Sequence, residues 1–401
     1  MSNTPKTLNA TTYDTRSVVD WLASGARSAR ESERALAETC ERLCACGIPL
    51  WQVDVFVRTL HPDITGRRFR WQAGNEVSIS TATYDDPAAE VRDSFVEKVC
   101  SDGVVVRCRL FEAECRKEFP FLQQLHDEGA TDLFATPLVF TEGDIHAALW
   151  TTRQPGGFTD EQIAAIEAVV DPLARVAEVR ALRRTATNLL DTYCGTRSGK
   201  RILAGHIRRG HSEVINAAIW LSDMRGFTTL SDRLSAETMI DLLNRYFDCQ
   251  VPVILDNGGE VLNFMGDGLL AMFPIEHPEE TTEVCNQALA AAIETRTRVL
   301  SLPKLNGIEK PVSFGLALHL GDVLYGNIGG GNRLDFTCIG PAVNLSARLE
   351  KIAAKLARTI VSSEEFASHC ASSLVPLGQF AMRGFGKPKT VFGLPDEKTT
   401  E

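Results

Sequence analysis

The chain has 401 residues, of which 44% are hydrophobic and 23% are charged, so we expect two or three globular domains and exclude a wholly disordered chain. Its formal net charge of −10 argues against nucleic acid or an anionic membrane surface as the main partner. No apolar run approaches the roughly 18 residues of a membrane span, and residues 1–6 lack the basic-then-apolar order of a signal peptide. We therefore expect a cytoplasmic protein without a membrane span.

The first zone, residues 16–174, has the element order of a small α+β domain. Apolar residues recur at helical spacing in residues 18–46. Thr159, followed three residues later by Gln162, forms a capping box that predicts the start of a closing helix. Between these two helical segments, apolar runs and turn residues predict five strands: residues 52–60, 68–71, 103–111, 132–140 and 145–151.

The cysteines predict reduced thiols. Eleven of them are scattered between Cys40 and Cys370, and an odd, scattered set does not fit a disulfide framework. The tight group Cys40, Cys44 and Cys46 has no CxxC pair and no histidine at ligand spacing, so packing is its better interpretation.

Residues 175–212 form a basic, mostly helical connector. Leu182, Ala186, Leu189 and Tyr193 are spaced four, three and four residues apart, as in a short coiled-coil seam. The segment is either a solvated connector or a dimerising helix that couples the flanking domains, and spacing this short leaves both interpretations open.

The third zone, residues 213–395, alternates strands and helices and predicts helices packed on an antiparallel sheet. Its first apolar strand ends at Asp223, and the chain then turns through Gly226 into a helix. A carboxylate at a strand end, beside exposed backbone N–H groups, suits a metal-bound phosphate. Alone this signal is weak, because an Asp at such a position is usually a turn or cap residue.

A second acid, Asp267, lies between Gly266 and Gly268 at the tip of a predicted hairpin. It can simply support the turn, or it can be a second metal-binding carboxylate beside Asp223. Two acids that converge from separate strands would hold two Mg2+ ions about 3.5–4 Å apart, which is a clamp for in-line phosphoryl chemistry.

A third element begins where a strand reaches Gly340 and Pro341 starts a helix. Asn344 and Arg348 are four residues apart, so both project from one face of that helix. Such a pair is most often just solvated, but Arg348 can offer a planar fork of donors to a phosphate.

Together, residues 222–228, 266–268 and 343–350 resemble the class III nucleotidyl cyclases, in the same order over roughly 180 residues. The resemblance implies a ferredoxin-like catalytic domain that works as a head-to-tail homodimer with shared active sites. It implies conversion of ATP to 3′,5′-cyclic AMP and pyrophosphate, with two Mg2+ ions per site for which Mn2+ can substitute.

The resemblance also implies roles for individual residues. Asp223 and Asp267 would bind the two metal ions, assisted by the carbonyl of Met224. Asn344 of the second chain would orient the ribose, and its Arg348 would stabilise charge that develops at the α-phosphate. The implied substrate-binding residues are Phe227, Thr228, Arg383 near the triphosphate, and Asn263 and Thr337 at the base.

The base-binding positions depart from the family pattern. Adenylyl-type members usually carry Lys where this chain has Asn263, and Asp or Thr where it has Thr337. Thr337 fits, whereas Asn263 offers both a donor and an acceptor and can serve either purine. The guanylyl pattern of Glu and Cys is absent, with Cys338 one residue away. ATP is favoured because of Thr337, and GTP, a pyrimidine nucleotide or weak activity stay open.

Two further points concern regulation and rivals. The first zone is similar to a GAF-type sensory domain in its element order and in residues 132–140, 143–144 and 155–158, and its small-molecule or protein input is unknown. A catalytically weak nucleotide-binding signalling module is an alternative that only Asn263 supports. A diguanylate-type synthase is disfavoured, because no Gly-Gly-acid hairpin is present.

Overall fold

The computed structural model describes residues 13–83, 87–303, 311–331, 333–370, 374–395 and 397, with the backbone alone in residues 87–94. Residues 1–6, on which the signal-peptide argument rests, lie outside these ranges. The chain divides into two compact units after Leu189. Within the described ranges we find no helix that combines the length and the apolar character needed to cross a membrane. The cytoplasmic location stays a prediction.

In the N-terminal unit, helices cover both faces of a six-stranded antiparallel sheet. Its elements are, in chain order, α1 (Arg16–Ala23), α2 (Ser32–Ala45), β1 (Gln52–Arg58), β2 (Ile64–Gln72), β3 (Ser78–Thr83), α3 (Pro87–Asp102), β4 (Val106–Arg109), α4 (Ala113–Glu118), α5 (Phe121–Asp127), β5 (Asp132–Val139), β6 (Ile145–Thr152) and α6 (Asp160–Cys194).

The strands lie in the order β3-β2-β1-β6-β5-β4, with a hydrophobic core on each face of the sheet. Along β6, Ala148 and Trp150 enter the core that α1, α2 and α6 cover. Ala147 and Leu149 point to the opposite core, beneath α3 and α5. This alternation is the period of two that a strand buried on both faces requires, and it confirms the predicted α+β class.

The structure corrects several predicted elements. The single helical segment over residues 18–46 is two helices, because Gly25 and Ala26 adopt positive φ and end α1. The strand predicted over residues 103–111 is confined to β4. The edge strand β3 was not predicted, since most of its side chains are exposed, and α4 and α5, with six and seven residues, are too short for a clear apolar period.

The expectation that every cysteine is reduced is wrong for one pair. Cys108 on β4 and Cys115 on α4 form a disulfide, with their Cα atoms 6.0 Å apart. Only a short turn joins β4 to α4, so the two side chains meet locally. The other nine cysteines are free thiols.

The predicted connector begins inside a continuous helix. The helix α6 runs for 35 residues although it contains Pro172, so the predicted limit between residues 174 and 175 falls within it. The predicted seam residues Leu182 and Tyr193 are 62% and 81% exposed. The apolar seam is therefore open to solvent in the single chain, and its pairing with a second chain stays a prediction.

An eight-stranded sheet organises the C-terminal unit. Its elements are α7 (Thr196–Leu203), β7 (Ser212–Met224), α8 (Phe227–Ser231), α9 (Ala236–Asp248), α10 (Val251–Asp256), β8 (Glu260–Met265), β9 (Gly268–Ile275), a 3-10 turn (Pro278–Glu280), α11 (Thr281–Leu300), β10 (Phe314–Gly330), β11 (Arg333–Ile339), α12 (Pro341–Lys355), β12 (Ile360–Ser363), α13 (Glu364–Ala367), β13 (Val375–Phe380) and β14 (Lys389–Gly393).

The elements β7, α9, β8, β9, α11 and β10 follow the βαββαβ order of a ferredoxin-like domain, and their strands lie in the order β10-β7-β9-β8. The strands β12, β14 and β13 extend the sheet beyond β10, and β11 pairs with β10 as a hairpin. The pairing of β10 with β12 is parallel. The prediction of a wholly antiparallel sheet is therefore wrong at this pair, whereas the βαββαβ order agrees with the predicted ferredoxin-like domain.

The central strand β7 pairs with β10 on one side and with β9 on the other. Ala218 and Trp220 enter the core shared with α9, α10 and α11, whereas Ala217 and Ile219 face the opposite core. Because neighbours on every side restrain this strand, the residues at its end occupy a fixed position.

Candidate active site

Two acids meet at one end of the central sheet. Asp223 is the second-last residue of β7, and Gly226, with φ of 71°, turns the chain into α8. Asp267 lies in the tight turn between β8 and β9, where Met265 pairs with Gly268. The Oδ1 atom of Asp223 lies 3.2 Å from the position that a Cβ on Gly268 would take, and the two carboxyl groups are within hydrogen-bonding reach. The structure therefore brings the two predicted acids together.

The local electrostatics oppose a negative charge on Asp223. Partial burial, the charges of Asp267 and Glu350, and the hydrogen bond with Asp267 together raise its pKa from 3.8 to about 6, while Arg225 acts in the opposite direction. Ionisation of both acids at this distance is unfavourable without a compensating cation. The pair is therefore suited to a positive ligand.

The donor set fits a hydrated divalent cation. In the part of the chain that the structure describes, no three His, Cys, Asp or Glu side chains form a complete metal-binding group. Mg2+ commonly takes only one or two protein carboxylates and completes its shell with water and substrate phosphates. Asp223 and Asp267 could thus hold such ions once a phosphate substrate is present. Met224, the last residue of β7, is 3% exposed, so only its backbone could assist.

The ion pair between Arg225 and Glu350 stabilises the end of β7 beside the two acids. Both residues lie within the sequence motifs, but we assigned them no role from the sequence. The Nη1 atom of Arg225 lies 2.7 Å from Oε1 of the buried Glu350 on α12. Gly315 on β10 makes room for the pair, since a Cβ there would overlap with the guanidinium. The pair links the end of β7 to the helix that carries the other predicted catalytic residues.

Asn344 and Arg348 lie one turn apart on α12, as predicted. Asn344 is exposed. The guanidinium of Arg348 lies 5.1 Å from the ring centre of Phe385, which is cation–π distance. Across the described residues, neither side chain forms a hydrogen bond or ion pair with Asp223 or Asp267. The single chain therefore presents two separate halves of the predicted site.

The remaining predicted substrate residues are less closely grouped. Phe227 and Thr228 open the short helix α8, with Phe227 half-buried against the core and Thr228 exposed. Arg383 is exposed in the loop before β14. That loop also carries Gly384 and Phe385, which contact Arg348.

The two predicted base-binding residues lie on different strands. Asn263 is exposed on β8 and pairs with Leu270. Thr337 is half-buried on β11 and pairs with Gly326. Asn263 also borders a cleft formed with residues 191–197 and 258–262, which does not include the two acids.

A buried network behind β8 was not predicted. Oε1 of Glu260 accepts hydrogen bonds of 3.0 Å from the backbone N–H and from the hydroxyl of Ser198 on α7. Its Oε2 atom accepts one of 3.1 Å from the hydroxyl of Tyr325 on β10. Burial raises the pKa of Glu260 above its ordinary value, although these hydrogen bonds oppose the shift. The network joins α7 to the strand that carries Asn263, and only the fold reveals it, because its members are up to 127 residues apart.

Comparison with known proteins identifies this part of the chain. Residues 211–394 match the family described as the adenylate and guanylate cyclase catalytic domain. The C-terminal unit therefore contains a class III cyclase catalytic domain, as the motifs predicted. The match covers just under half of the chain.

Named relatives are adenylate cyclases. The chain is 27% identical over 194 residues to adenylate cyclase 1 of Rhizobium meliloti, covering 46% of this chain and 28% of that protein. It is 33% identical over 135 residues to the terminal-differentiation-specific adenylate cyclase of Dictyostelium discoideum, covering 33% of this chain and 6% of that protein. This chain thus spans a minor part of the length of either relative. The solved adenylyl cyclase CyaB from P. aeruginosa is 29% identical, over 47% of this chain and 97% of that one, with a TM-score of 0.43.

The clustered acids predict a pH-dependent effect of Asp267→Asn on stability. Since the pKa of Asp223 is about 6 in the folded chain and 3.8 ordinarily, its ionisation costs the metal-free protein stability as the pH rises from about 4 to about 6. Removing the charge of Asp267 lowers that pKa, so the variant should unfold at a higher temperature than the wild type at pH about 7.5, with a smaller gain at pH about 5. Calorimetry in chelator measures this difference.

The matched control is Asp256→Asn, an exposed acid at the end of α10. Its effect should be the same at both pH values. Millimolar Mg2+ should stabilise the wild type and the control but not Asp267→Asn. Equal effects of the two substitutions at both pH values would contradict the electrostatic coupling.

Proposed function

We propose that residues 213–395 convert ATP to 3′,5′-cyclic AMP and pyrophosphate. The observation that carries this proposal is the convergence of Asp223 and Asp267 within a cyclase catalytic domain, where a bound cation would lower the raised pKa of Asp223. Asp223 and Asp267 would hold two Mg2+ ions. When bound, such ions supply charge neutralisation at the phosphates and lower the pKa of the attacking 3′-hydroxyl.

The proposed site needs two chains. Asp223 and Asp267 of one subunit bind the triphosphate end, while Asn344 of the partner subunit orients the ribose and Arg348 of the partner subunit stabilises the charge on the α-phosphate. The exposure of Asn344 supports this division, as does the lack, among the described residues, of any hydrogen bond or ion pair between Asn344 or Arg348 and the acids. The stacking of Arg348 on Phe385 holds its guanidinium in a defined place. Catalysis is then mainly positioning and electrostatic stabilisation.

The proposed preference for ATP rests on Thr337. Asn263 makes this preference less strict than a Lys at the same position would. Asn can donate to the acceptor N1 of adenine or accept from a guanine N–H group. We propose ATP as the main substrate, with Thr228, Phe227 and Arg383 near the phosphates.

The N-terminal unit is proposed as a GAF-like regulatory domain. Its antiparallel sheet, with helices on both faces, supports a sensory role of this kind. Because α6 is continuous to Cys194, a change at that helix can alter how two catalytic domains meet.

Product analysis tests the function directly. The full chain, incubated with each nucleoside triphosphate and Mg2+ or Mn2+, should form cyclic AMP fastest, and Asp223→Asn should lower the rate by about a hundredfold or more. Chromatography resolves the cyclic products. Binding of ATP without any cyclic product would leave the chain as a nucleotide-binding signalling module and would overturn the proposed reaction.

Mixing two inactive variants tests the shared site. Asp223→Asn and Arg348→Gln chains, refolded together in equal amounts, should recover about a quarter of the wild-type rate, because half of the dimers are mixed and each has one intact site. Asp223→Asn mixed with Asp267→Asn is the matched control and should recover nothing. Recovery in both mixtures, or in neither, would argue against sites built from two chains.

The base assignment predicts the effect of Asn263→Lys. A Lys donates only and suits adenine, so the ratio of kcat/KM for ATP to that for GTP should rise by about tenfold. Asn286→Lys, an exposed position on α11, introduces the same charge and should leave the ratio unchanged. An unaltered ratio in Asn263→Lys would show that the base binds elsewhere.

A further inference from the structure

A cavity in the N-terminal unit has no role in the proposed reaction. It opens between α2, α6 and the strands β1 and β2, with a cavity volume of about 60 Å3 and a mouth open to solvent. Its wall is apolar, and the buried side chains that form much of it are Leu36, Val55, Phe69, Leu173 and Val176. A concave apolar wall with a few charged groups beside it is typical of small-molecule sites.

Four arginines line the same cavity: Arg58 on β1, Arg67 on β2, and Arg180 and Arg184 on α6. The guanidinium of Arg180 donates to the backbone carbonyls of Ala29 and Glu31. Among the described residues, the side chains of Arg67 and Arg184 have neither a hydrogen bond nor an ion pair, and the Nε atom of Arg67 is buried without a partner. The guanidinium groups of Arg67 and Arg184 therefore offer hydrogen-bond donors to the cavity that no acceptor among the described residues uses.

The charges around the cavity do not balance. Burial and the nearby charge of Arg184 lower the pKa of Arg67, and Glu33 is the acid that opposes this shift. Arg58, which also lines the cavity, is already paired with Glu97 at 2.6 Å. Glu33 is thus the carboxylate whose charge favours the charged forms of both Arg67 and Arg180. Arg184 adds a third positive charge. Holding like charges together beside an apolar wall is unfavourable unless an anion joins them.

We propose that this cavity binds an amphipathic anion whose apolar body fills the space between α2 and α6 and whose carboxylate or phosphate head is held by Arg67 and Arg184. An inorganic anion would leave the apolar wall empty, and a neutral apolar ligand would leave the two guanidinium groups without an acceptor. Arg fits both head groups because its planar donors can bind them in pairs.

The site would act on the helix that leaves the unit. Arg180, Arg184, Leu173 and Val176 all belong to α6, which continues to Cys194. An anion that draws Arg184 towards Arg67 on β2 fixes this part of α6 against the sheet. Binding itself does not depend on the proposed cyclase reaction, so the two can fail separately.

Binding is tested with three ten-carbon probes on the full chain: sodium decanoate, decyl phosphate and decanol, below their aggregation concentrations. Titration calorimetry should give saturable binding of at least one anion and about tenfold weaker binding of decanol. The tighter of the two anions identifies the head group, and either result supports the site. Decanol that binds as tightly as both anions would overturn it.

The variants Arg67→Gln and Arg184→Gln should each weaken binding of the preferred anion by about tenfold. The matched control is Arg183→Gln, an exposed neighbour that does not line the cavity, and it should bind like the wild type. Circular dichroism verifies that each variant is folded, and Arg184→Gln carries the test if Arg67→Gln does not fold. No saturable binding of either anion, or full binding in both lining variants, would overturn the proposal.

Discussion

The candidate active site depends on two carboxylates that the C-terminal unit holds together against their mutual repulsion. Asp223 and Asp267 belong to different strands, and the pairing of β7 with β9 and of β9 with β8 forces their side chains together. Such an arrangement is destabilising by itself, as the raised pKa of Asp223 records, and folds retain it where a cation is to be bound. The surrounding sheet, which is buried on both faces, supplies the stability that keeps the two acids in contact.

The Arg225–Glu350 pair extends this constraint to α12. It ties the helix to the end of β7, and among the described residues neither Asn344 nor Arg348 bonds to the acids of the same chain. A chain whose proposed metal ligands do not contact its proposed phosphate-binding residues is incomplete for the proposed reaction. Association of two chains would therefore create the site, which makes the geometry of that association a natural point of control.

The N-terminal unit shows the opposite imbalance, an excess of positive charge around an apolar space. Arg67 and Arg184 line one cavity because α6 covers the face of the sheet on which Arg67 of β2 lies, although the two residues are far apart in sequence. The disulfide between Cys108 and Cys115 lies on the far edge strand and has no part in this cavity. Both units thus hold like charges at sites where a ligand of opposite charge would complete the structure.

Much of the fold could be read from the chain, because the evidence for it is local. The capping box at Thr159 and Gln162 forms as predicted, with hydrogen bonds of 2.9 and 3.3 Å. The hairpin that carries Asp267 and the start of α12 at Pro341 also follow from neighbouring residues. Elements with weak local patterns were missed: the exposed edge strand β3, the short helices α4 and α5, and the break between α1 and α2.

The sequence by itself predicted which residues would carry the chemistry, and it determined on which elements they lie, since strand ends, turns and helix faces depend on short-range patterns. Only the tertiary structure decided which of them meet. It brought together residues distant in the chain in four places: Asp223 with Asp267, Arg225 with Glu350, the buried Glu260 network, and Arg67 with Arg184 at one cavity. Contacts of that kind depend on strand order and on how helices cover the sheet, and no local pattern encodes them.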